Sequence, residues 1–394
     1  MNPENKEIGY FFIACGGPFY KLQRKLGLLR EDEFHSKPRA VMFVALTWGV
    51  PLVLNLITGS AYGPFADKPF LLDAGAWARY FIAVSLFILM EKQVQDRLKM
   101  HLAQFTRAPL LAPGSFEAAA EAVTRALNRL DALLAEIICI LIAIILTLIM
   151  WLRLLNQETS FWAVNIIQDA NSLTLAGWWV VVVSSPVFLF LLLRWLWRIA
   201  VWSMLLRELA GFELRLVATH PDGHGGLTFL GQYPNAFTMF VFAISCVVGA
   251  AIAHELMDHT VSMTTYGYLM GGWLLIIMLL FSYPLAAFHK PLTDLKERTL
   301  LLCSSQATRH HRAAERELLG KNISATGDAE LVSAKEIPDP SKTLTSVLKL
   351  STFLFNREGL LPVSGAALLP LVTAGATQLP IKEIFKVMKR LLLL

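Results

Sequence analysis

Residues 137–152 read IICILIAIILTLIMWL, a run without a single charged side chain. A helix of about 20 apolar residues crosses the hydrocarbon core of a bilayer, and this run approaches that length. A second uncharged run, Trp178 to Leu193, has the same character. Because lipid accepts only helices and closed barrels, these two long runs predict membrane-spanning helices.

The composition of the whole chain agrees with that prediction. The 394 residues are 55% hydrophobic and 16% charged, with a mean hydropathy of +0.52, whereas soluble domains carry about 25% charged residues. The net charge of +5 comes from basic residues beside apolar runs, which favours membrane anchoring and excludes a nucleic-acid partner. The cysteines have no CxxC spacing and indicate neither a zinc ribbon nor a disulfide framework.

The apolar runs predict an all-α polytopic membrane protein with about six transmembrane helices and cytosolic helical extensions. Residues 1–39 are rich in aromatic and basic side chains, as an interfacial segment would be. The predicted division of the chain is an N-terminal segment over 1–39, a six-helix membrane domain over 40–290 with a helical hairpin over 91–135, and a cytosolic helix, linker and C-terminal segment over 291–394.

The distribution of Lys and Arg orients these spans, because basic loops stay in the cytoplasm. The N-terminal arm, the 91–135 connector, the connector after the fourth span and the region beyond 290 are basic, while the alternate connectors are short and acidic. This pattern predicts six spans with both termini in the cytoplasm. Residues 360–379 form another apolar run before a basic tail, and the same rule favours a re-entrant or surface-lying segment over a seventh span.

The connector THPDGHGGL, residues 219–227, concentrates turn formers and ionisable groups between two apolar runs. His220, Asp222 and His224 alternate, so an extended backbone would place them on one face as ligands for zinc or iron. The amides of Gly225 and Gly226 offer an anion nest. The alternative interpretation is a turn whose His and Asp side chains cap helix ends and bind lipid headgroups. Beyond this candidate metal, the sequence identifies no cofactor.

Arg194 and Arg198 lie one helical turn apart among tryptophans. Guanidinium groups suit oxyanions, so the pair could line a cytosolic vestibule for anions or hold a lipid phosphate. Alternatively, both are arginines whose heads reach the interface within an aromatic belt. The middle of each predicted span contains no Asp, Glu or Lys, which argues against a proton relay or a buried ion-coupling site.

His254, Glu255 and His259 resemble a zincin signature at first sight. The second histidine of that motif must follow the first by four residues to share a helical face, and here it follows by five. The spacing therefore argues against a metalloprotease, and the sequence as a whole favours a protein that is not an enzyme.

The chain resembles a family of bacterial multi-pass inner-membrane proteins. The resemblance rests on the Trp- and Arg-rich fourth span, on the stretch LRLVATHPD at 214–222 followed by Gly-Gly-Leu at 225–227, and on the Leu- and Pro-rich segment before the basic tail. It implies a bacterial inner membrane and supplies no activity.

Two functional hypotheses follow. The first is a homo-oligomeric channel or pore-type transport protein for anions or small solutes, since six spans lack a catalytic constellation and carry hinge-like prolines at Pro51, Pro186 and Pro284. The second is a membrane-anchored sensor or scaffold that uses the 219–227 connector and the helical hairpin to bind a ligand, a metal or a cytosolic protein. Membrane lipids are expected partners of either.

Overall fold

The computed structural model describes residues 13–14, 16–28, 35–62, 69–155, 162–167, 170–258, 261–324, 338–354 and 357–393. Within them, six helices are long and apolar enough to cross a membrane. The predicted all-α polytopic fold is confirmed. The single β-hairpin, β1 (Val164–Ile167) against β2 (Ala170–Leu173), pairs Val164 with Leu173 in the connector between the third and fourth spans.

The helices are numbered in chain order. A short amphipathic helix, α1 (Pro18–Lys25), precedes the first span. The rest are α2 (Ser36–Thr58), α3 (Ala74–Arg107), α4 (Phe116–Asp131), α5 (Leu133–Leu155), α6 (Leu175–Ala210), α7 (Thr238–Asp258), α8 (Met263–Leu285), α9 (His289–Leu319), α10 (Ser341–Lys349), α11 (Arg357–Gly375) and α12 (Ile381–Leu393), with a 3₁₀ segment at Thr228–Phe237 before α7.

Three spans contain a π-helical turn, at Ala45–Gly49 in α2, Trp77–Ala83 in α3 and Val180–Ser184 in α6. Two of these turns lie directly before Pro51 and Pro186. Proline has no backbone N–H and crowds the preceding turn, and a wider π turn accommodates both effects without breaking the helix. The hinge-like prolines of α2 and α6 therefore produce local widening inside continuous helices.

The three π turns meet around a buried polar cluster. Thr47 Oγ1 lies 2.8 Å from the carbonyl oxygen of Tyr80, and Ser184 Oγ donates to the carbonyl of Thr47 at 2.7 Å. The Tyr80 hydroxyl and Ser185 Oγ are 2.7 Å apart. Because polar groups in a membrane interior must find partners within the protein, these bonds fix the depths of α2, α3 and α6 relative to one another.

The helix α11 packs closely against the fifth span, α7, and also against the sixth span, α8. Ser245 of α7 accepts a bond from the Trp273 indole of α8 at 2.9 Å. Gly249 of α7 faces Pro370 of α11 so closely that an added Cβ would lie 2.9 Å from the Pro370 carbonyl oxygen. Since glycine has no side chain, the backbones of α7 and α11 approach directly, as small residues permit between membrane helices.

The placement of α11 corrects one sequence prediction. Gly359 at its start lies against Gly231, before α7 begins, and Gly375 at its end lies against Tyr266 in the first turn of α8. The helix thus runs alongside α7 from one end of the bundle to the other, and is not surface-lying. Its 19 residues measure about 28 Å, close to the thickness of the hydrocarbon core.

The chain termini consequently lie at opposite ends of the bundle. We call the end where α3 continues to Arg107 and α9 begins the projecting end; the N-terminal residues 13–25 are bound there. The amphipathic helix α12 packs instead beside the start of α8, where Val387 lies against Gly267 and Leu391 against Gly271. The sidedness of both termini therefore stays a prediction, and the position of α12 beside the start of α8 argues against a shared side.

The projecting end carries a helical layer of its own. Helix α4 packs mainly against α6, rather than against α3 as a simple hairpin would. Arg125 and Arg129 of α4 bind Glu208 of α6 at 2.9 and 2.8 Å. A single bridge between Leu111 and Leu214 ties the α3–α4 connection to the 211–227 connector. The 91–135 stretch thus contains two helical arms, and the second arm packs on α6 instead of pairing with the first.

The opposite ends of the chain can be tested directly. In a cysteine-free background, Lys382→Cys at the start of α12 and Gly114→Cys at the projecting end are expected to react with a membrane-impermeant maleimide from opposite sides of the membrane. Both positions are exposed, so reactivity depends on sidedness alone. Labelling of both variants in the same vesicle orientation, right-side-out or inside-out, would contradict the course of α11.

Candidate functional site

Five charged side chains from four spans meet inside the bundle near the projecting end. We call this set the ionic network: Arg39, Glu91, Glu136, Arg194 and Arg198. Each is at most 6% exposed. Buried charges are costly unless they are paired and hydrogen-bonded, so a cluster of five requires a closed set of contacts.

Glu91 is the centre of the ionic network. One carboxylate oxygen accepts from Arg39 Nη1 at 2.7 Å, and the other lies 3.4 Å from Arg198 Nη1 and 3.7 Å from Arg194 Nη1. Arg194 also donates through Nε to Glu136 at 3.2 Å. Arg194 and Arg198 are four residues apart in α6 and so share one face, which lets both reach Glu91.

The remaining donors of the arginines bind the N-terminal segment. Arg198 Nη2 donates to the carbonyl of Ala14 at 2.8 Å, and Arg194 Nη2 donates to that of Gly16 at 2.9 Å. The amide of Ala14 in turn donates to Gln95 at 2.9 Å. Ala14 and Gly16 are therefore held by polar and charged groups of the spans.

Two carboxylates hold the start of α1 from the other side. Glu136 Oε2 accepts from the amide of Phe19 at 2.7 Å, and Asp131 Oδ1 accepts from that of Gly17 at 2.7 Å. Helix N-termini favour anions because their first amides have no helical partner. The Gly17 amide, with Lys21 beside it, lowers the pKa of Asp131. A Cβ on Gly17 would lie 2.1 Å from Glu136 Oε1, so only glycine permits this approach.

The surroundings of Arg194 and Arg198 correct both sequence interpretations of the pair. Their heads do not reach the interface, since the residues are 5% and 3% exposed. They do not line an open vestibule either, because their donors contact carboxylates and carbonyls of this chain. Aromatic rings cover them from within: Phe19 lies 5.0 Å from the Arg194 guanidinium, and Trp195 lies 4.6 Å from that of Arg198. Their binding of an external anion stays a prediction.

Three members of the ionic network escaped sequence reasoning. Arg39, Glu91 and Glu136 each stand at the edge of an apolar run, where a charge normally marks the end of a span. The structure continues α3 through Glu91 in a buried position, so this span edge lies inside the bundle. One signal in the sequence could have indicated the network. The three charges stand at span edges that lie at the same end of the predicted bundle, and Arg39 is opposite in sign to Glu91 and Glu136.

The 219–227 connector folds around Asp222. One carboxylate oxygen accepts from the amides of His224 and Gly226 at 2.9 and 3.1 Å, and the other accepts from those of Gly226 and Thr228 at 3.0 and 3.2 Å. His220 Nδ1 lies 2.8 Å from Asp222 Oδ1. The predicted anion nest exists in part, through the Gly226 amide, and its anion is the side chain of Asp222.

The extended backbone that the metal prediction assumed is not formed. Gly223 has φ of 68° and turns the chain between Asp222 and His224, so the three side chains do not alternate along a strand. Across the residues that the structure describes, no group of three His, Cys, Asp or Glu side chains is placed to hold a metal ion. The turn interpretation describes this connector better.

The pKa of Asp222 is lowered by the hydrogen bonds of the connector. Partial burial alone would raise its pKa, but the amide hydrogen bonds from His224, Gly226 and Thr228, with His220 beside them, lower the pKa to about 2. An ionised carboxylate that accepts several amide bonds resists protonation because each bond favours the charged form. The connector is thus stabilised by a charge that stays on Asp222 at any physiological pH.

The structure describes only the first part of the zincin-like stretch. His254 and Glu255 are exposed near the end of α7, and His259 lies outside the described residues.

Comparison of the chain with protein-family models, with curated proteins and with solved structures finds no match. The resemblance to bacterial inner-membrane proteins therefore stays a prediction.

Glu91 offers a direct test of the ionic network. Glu91→Gln removes the carboxylate that Arg39 and Arg198 share, and loss of one partner from a buried ion pair costs about 3–5 kcal/mol. We expect a large fall in thermal stability in detergent. Glu121→Gln, which removes an exposed partner of Arg125 at 3.4 Å, is the matched control, with a change of about 0.5 kcal/mol or less. Equal effects of the two substitutions would contradict a structural role for the network.

Asp222 has a predictable pH dependence. A carboxyl whose folded-state pKa lies below its unfolded value stabilises the fold above that unfolded value, and the stabilisation is lost as pH falls towards the folded pKa. The stability difference between wild type and Asp222→Asn should be constant above about pH 4 and should shrink as the pH approaches 2. Asp96→Asn, on the exposed side of α3, is the matched control for the removal of a carboxylate outside the connector. A difference that stays constant to pH 2 would contradict the assignment.

Proposed function

We propose that this protein is a membrane-anchored sensor or scaffold of the bacterial inner membrane, with its projecting end in the cytoplasm. Six basic residues of the 91–135 stretch lie at that end, which supports the orientation: Lys92, Arg97, Lys99, Arg107, Arg125 and Arg129. Helix α12 brings four basic residues to the other end. Early spans usually dominate topology, so the orientation rests on the N-terminal half.

The observation that carries this proposal is the ionic network and what it binds. Charges from four spans converge at the projecting end and hold the backbone of residues 14–19, a segment that precedes the first span. A scaffold needs such a defined surface, because the membrane helices supply the anchor and the bound segment supplies shape. Release of this segment would change the surface without moving the spans, which suits a sensor.

The exposed surface of α9 supports a protein partner. This helix leaves the membrane domain as a continuation of α8 and is 31 residues long. Leu301, Leu302 and Leu318 on it are 70%, 69% and 83% exposed. Large leucines on a projecting helix among charged neighbours are typical of a helix that docks against a partner. The partner is either a cytosolic protein or a second copy of this chain.

The channel hypothesis has less support. It relied on Arg194 and Arg198 as the lining of an anion path, and both are engaged in the ionic network. The outer surface of α5 is apolar, and Ile137, Leu141 and Ile145 are exposed on it. A pore between copies of the chain would need polar side chains on such an outer surface.

Site-specific cross-linking tests the proposal. A photo-reactive phenylalanine at Leu301 or Leu302 is expected to capture one defined cytosolic protein in native cells, while the same group at Leu275 or Ile276 of α8, which are similarly exposed, should capture only lipid. The purified protein in liposomes should conduct neither anions nor small solutes. Capture of nothing but a second copy, together with solute flux, would overturn the scaffold in favour of the oligomeric channel.

A further inference from the structure

A cavity of about 900 Å³ opens between α6 and α8. It lies outside the ionic network and on the side of α6 away from Glu91 and Glu136. Its walls are almost entirely aliphatic along the membrane-spanning part. The residues that line this part are Leu196, Ile199, Ala200, Met204, Ile276, Leu279 and Leu280. Ligand sites of this volume are usually apolar with a few placed polar groups.

The polar groups of the cavity are gathered at one end. Arg207 stacks on the ring of Tyr283, with its guanidinium carbon 3.9 Å from the ring centre. His289 lies nearby on the same lining. Stacking uses the flat face of a guanidinium and leaves its N–H donors in the plane, where they suit a phosphate or carboxylate. The cavity therefore has a cationic end and an aliphatic body.

The cation at this end is not neutralised by the described part of the chain. Arg207 has no carboxylate within ion-pair distance there, whereas the adjacent Glu208 binds Arg125 and Arg129 of α4. Within one turn of α6, Glu208 therefore binds α4, whereas Arg207 lines the cavity on the other side. An anion from outside the chain is the complementary partner for Arg207.

The depth of the cavity matches that of a lipid molecule. Arg207 stands three residues before the end of α6, and Tyr283 two residues before the end of α8, so the cationic end lies at the membrane interface. Leu196 and Ile276 lie two to three turns further into the hydrocarbon region. Headgroup phosphates occupy the first level and acyl chains the second, and basic pockets between membrane helices bind acidic headgroups.

We propose that this cavity is a binding site for an anionic phospholipid, with the phosphate on Arg207 beside His289 and an acyl chain between α6 and α8. A second copy of the chain fits the site less well than a lipid does. It would have to fill the cavity with an apolar helix and also place a carboxylate from the end of that helix on Arg207. The proposal is independent of the scaffold function, because it concerns neither α9 nor the ionic network.

The segment over 351–354 closes the cytosolic end of this lipid site. Phe353 stacks on His289 with ring centres 4.5 Å apart, and His289 Nδ1 lies 3.3 Å from the carbonyl of Thr352. The amide of Ser351 donates to the carbonyl of Gly223 at 2.9 Å. A headgroup on His289 therefore contacts the same segment that binds the Asp222 connector.

Lipid retention tests the proposal. The full chain is reconstituted in nanodiscs of phosphatidylglycerol and phosphatidylcholine, extracted in mild detergent and analysed for bound lipid by native mass spectrometry. Wild type should retain phosphatidylglycerol in preference. Arg207→Gln should lower that preference about tenfold, the effect of losing one charge-assisted hydrogen bond. Arg107→Gln, which removes an exposed charge at the end of α3, should leave the preference unchanged.

A second pair of variants tests the acyl part. Ala200→Trp or Leu279→Phe, checked for an unchanged gel-filtration profile, should reduce retention of both lipids because the added volume fills the cavity. Retained lipid that mirrors the nanodisc composition in wild type, or equal effects of the two arginine variants, would overturn the proposal. So would competition by inorganic phosphate alone, or disulfide cross-linking of Ile276→Cys between two copies with no lipid retained.

Discussion

The buried carboxylate of Glu91 is the interaction on which the structure most depends. Two arginines from different spans converge on it, and a third lies 3.7 Å away. A single unpaired charge at this depth would cost several kcal/mol, so every member must keep its place for the others to stay buried. The ionic network therefore positions α2, α3, α5 and α6 together, and specifies one arrangement more than it adds to stability.

Polar contacts define the interior at two levels. At the projecting end the ionic network is charged and binds the N-terminal segment, whereas the deeper cluster around Thr47 and Tyr80 consists of neutral hydroxyl and carbonyl groups. This order agrees with the cost of burial, since neutral hydrogen bonds are tolerated deep inside a bundle, whereas buried charges require charged partners. The π turns expose the backbone carbonyls that the hydroxyl groups use.

The sequence predicted the spans well because apolar length is a local property. Ile137 to Leu152 and the other runs indicated helices whatever surrounds them. The partners of Arg194 and Arg198 were not predictable in this way, since Arg39, Glu91 and Glu136 are distant in sequence and each reads as the end of a span. The course of α11 was mistaken for a related reason. Its basic tail suggested the cytoplasm, but direct packing of Gly249 on Pro370 decides its position.

The Asp222 connector contacts the segment over 351–354, which lines the cavity between α6 and α8. Its own charge is satisfied internally, so it has no open ligand position, and yet its Gly223 carbonyl binds Ser351 at the edge of the cavity between α6 and α8. Coupling between two sites requires an element with two arrangements that both sites bias. The segment over 351–354 satisfies the contact part of that requirement, because it covers His289 on one side and holds the connector on the other.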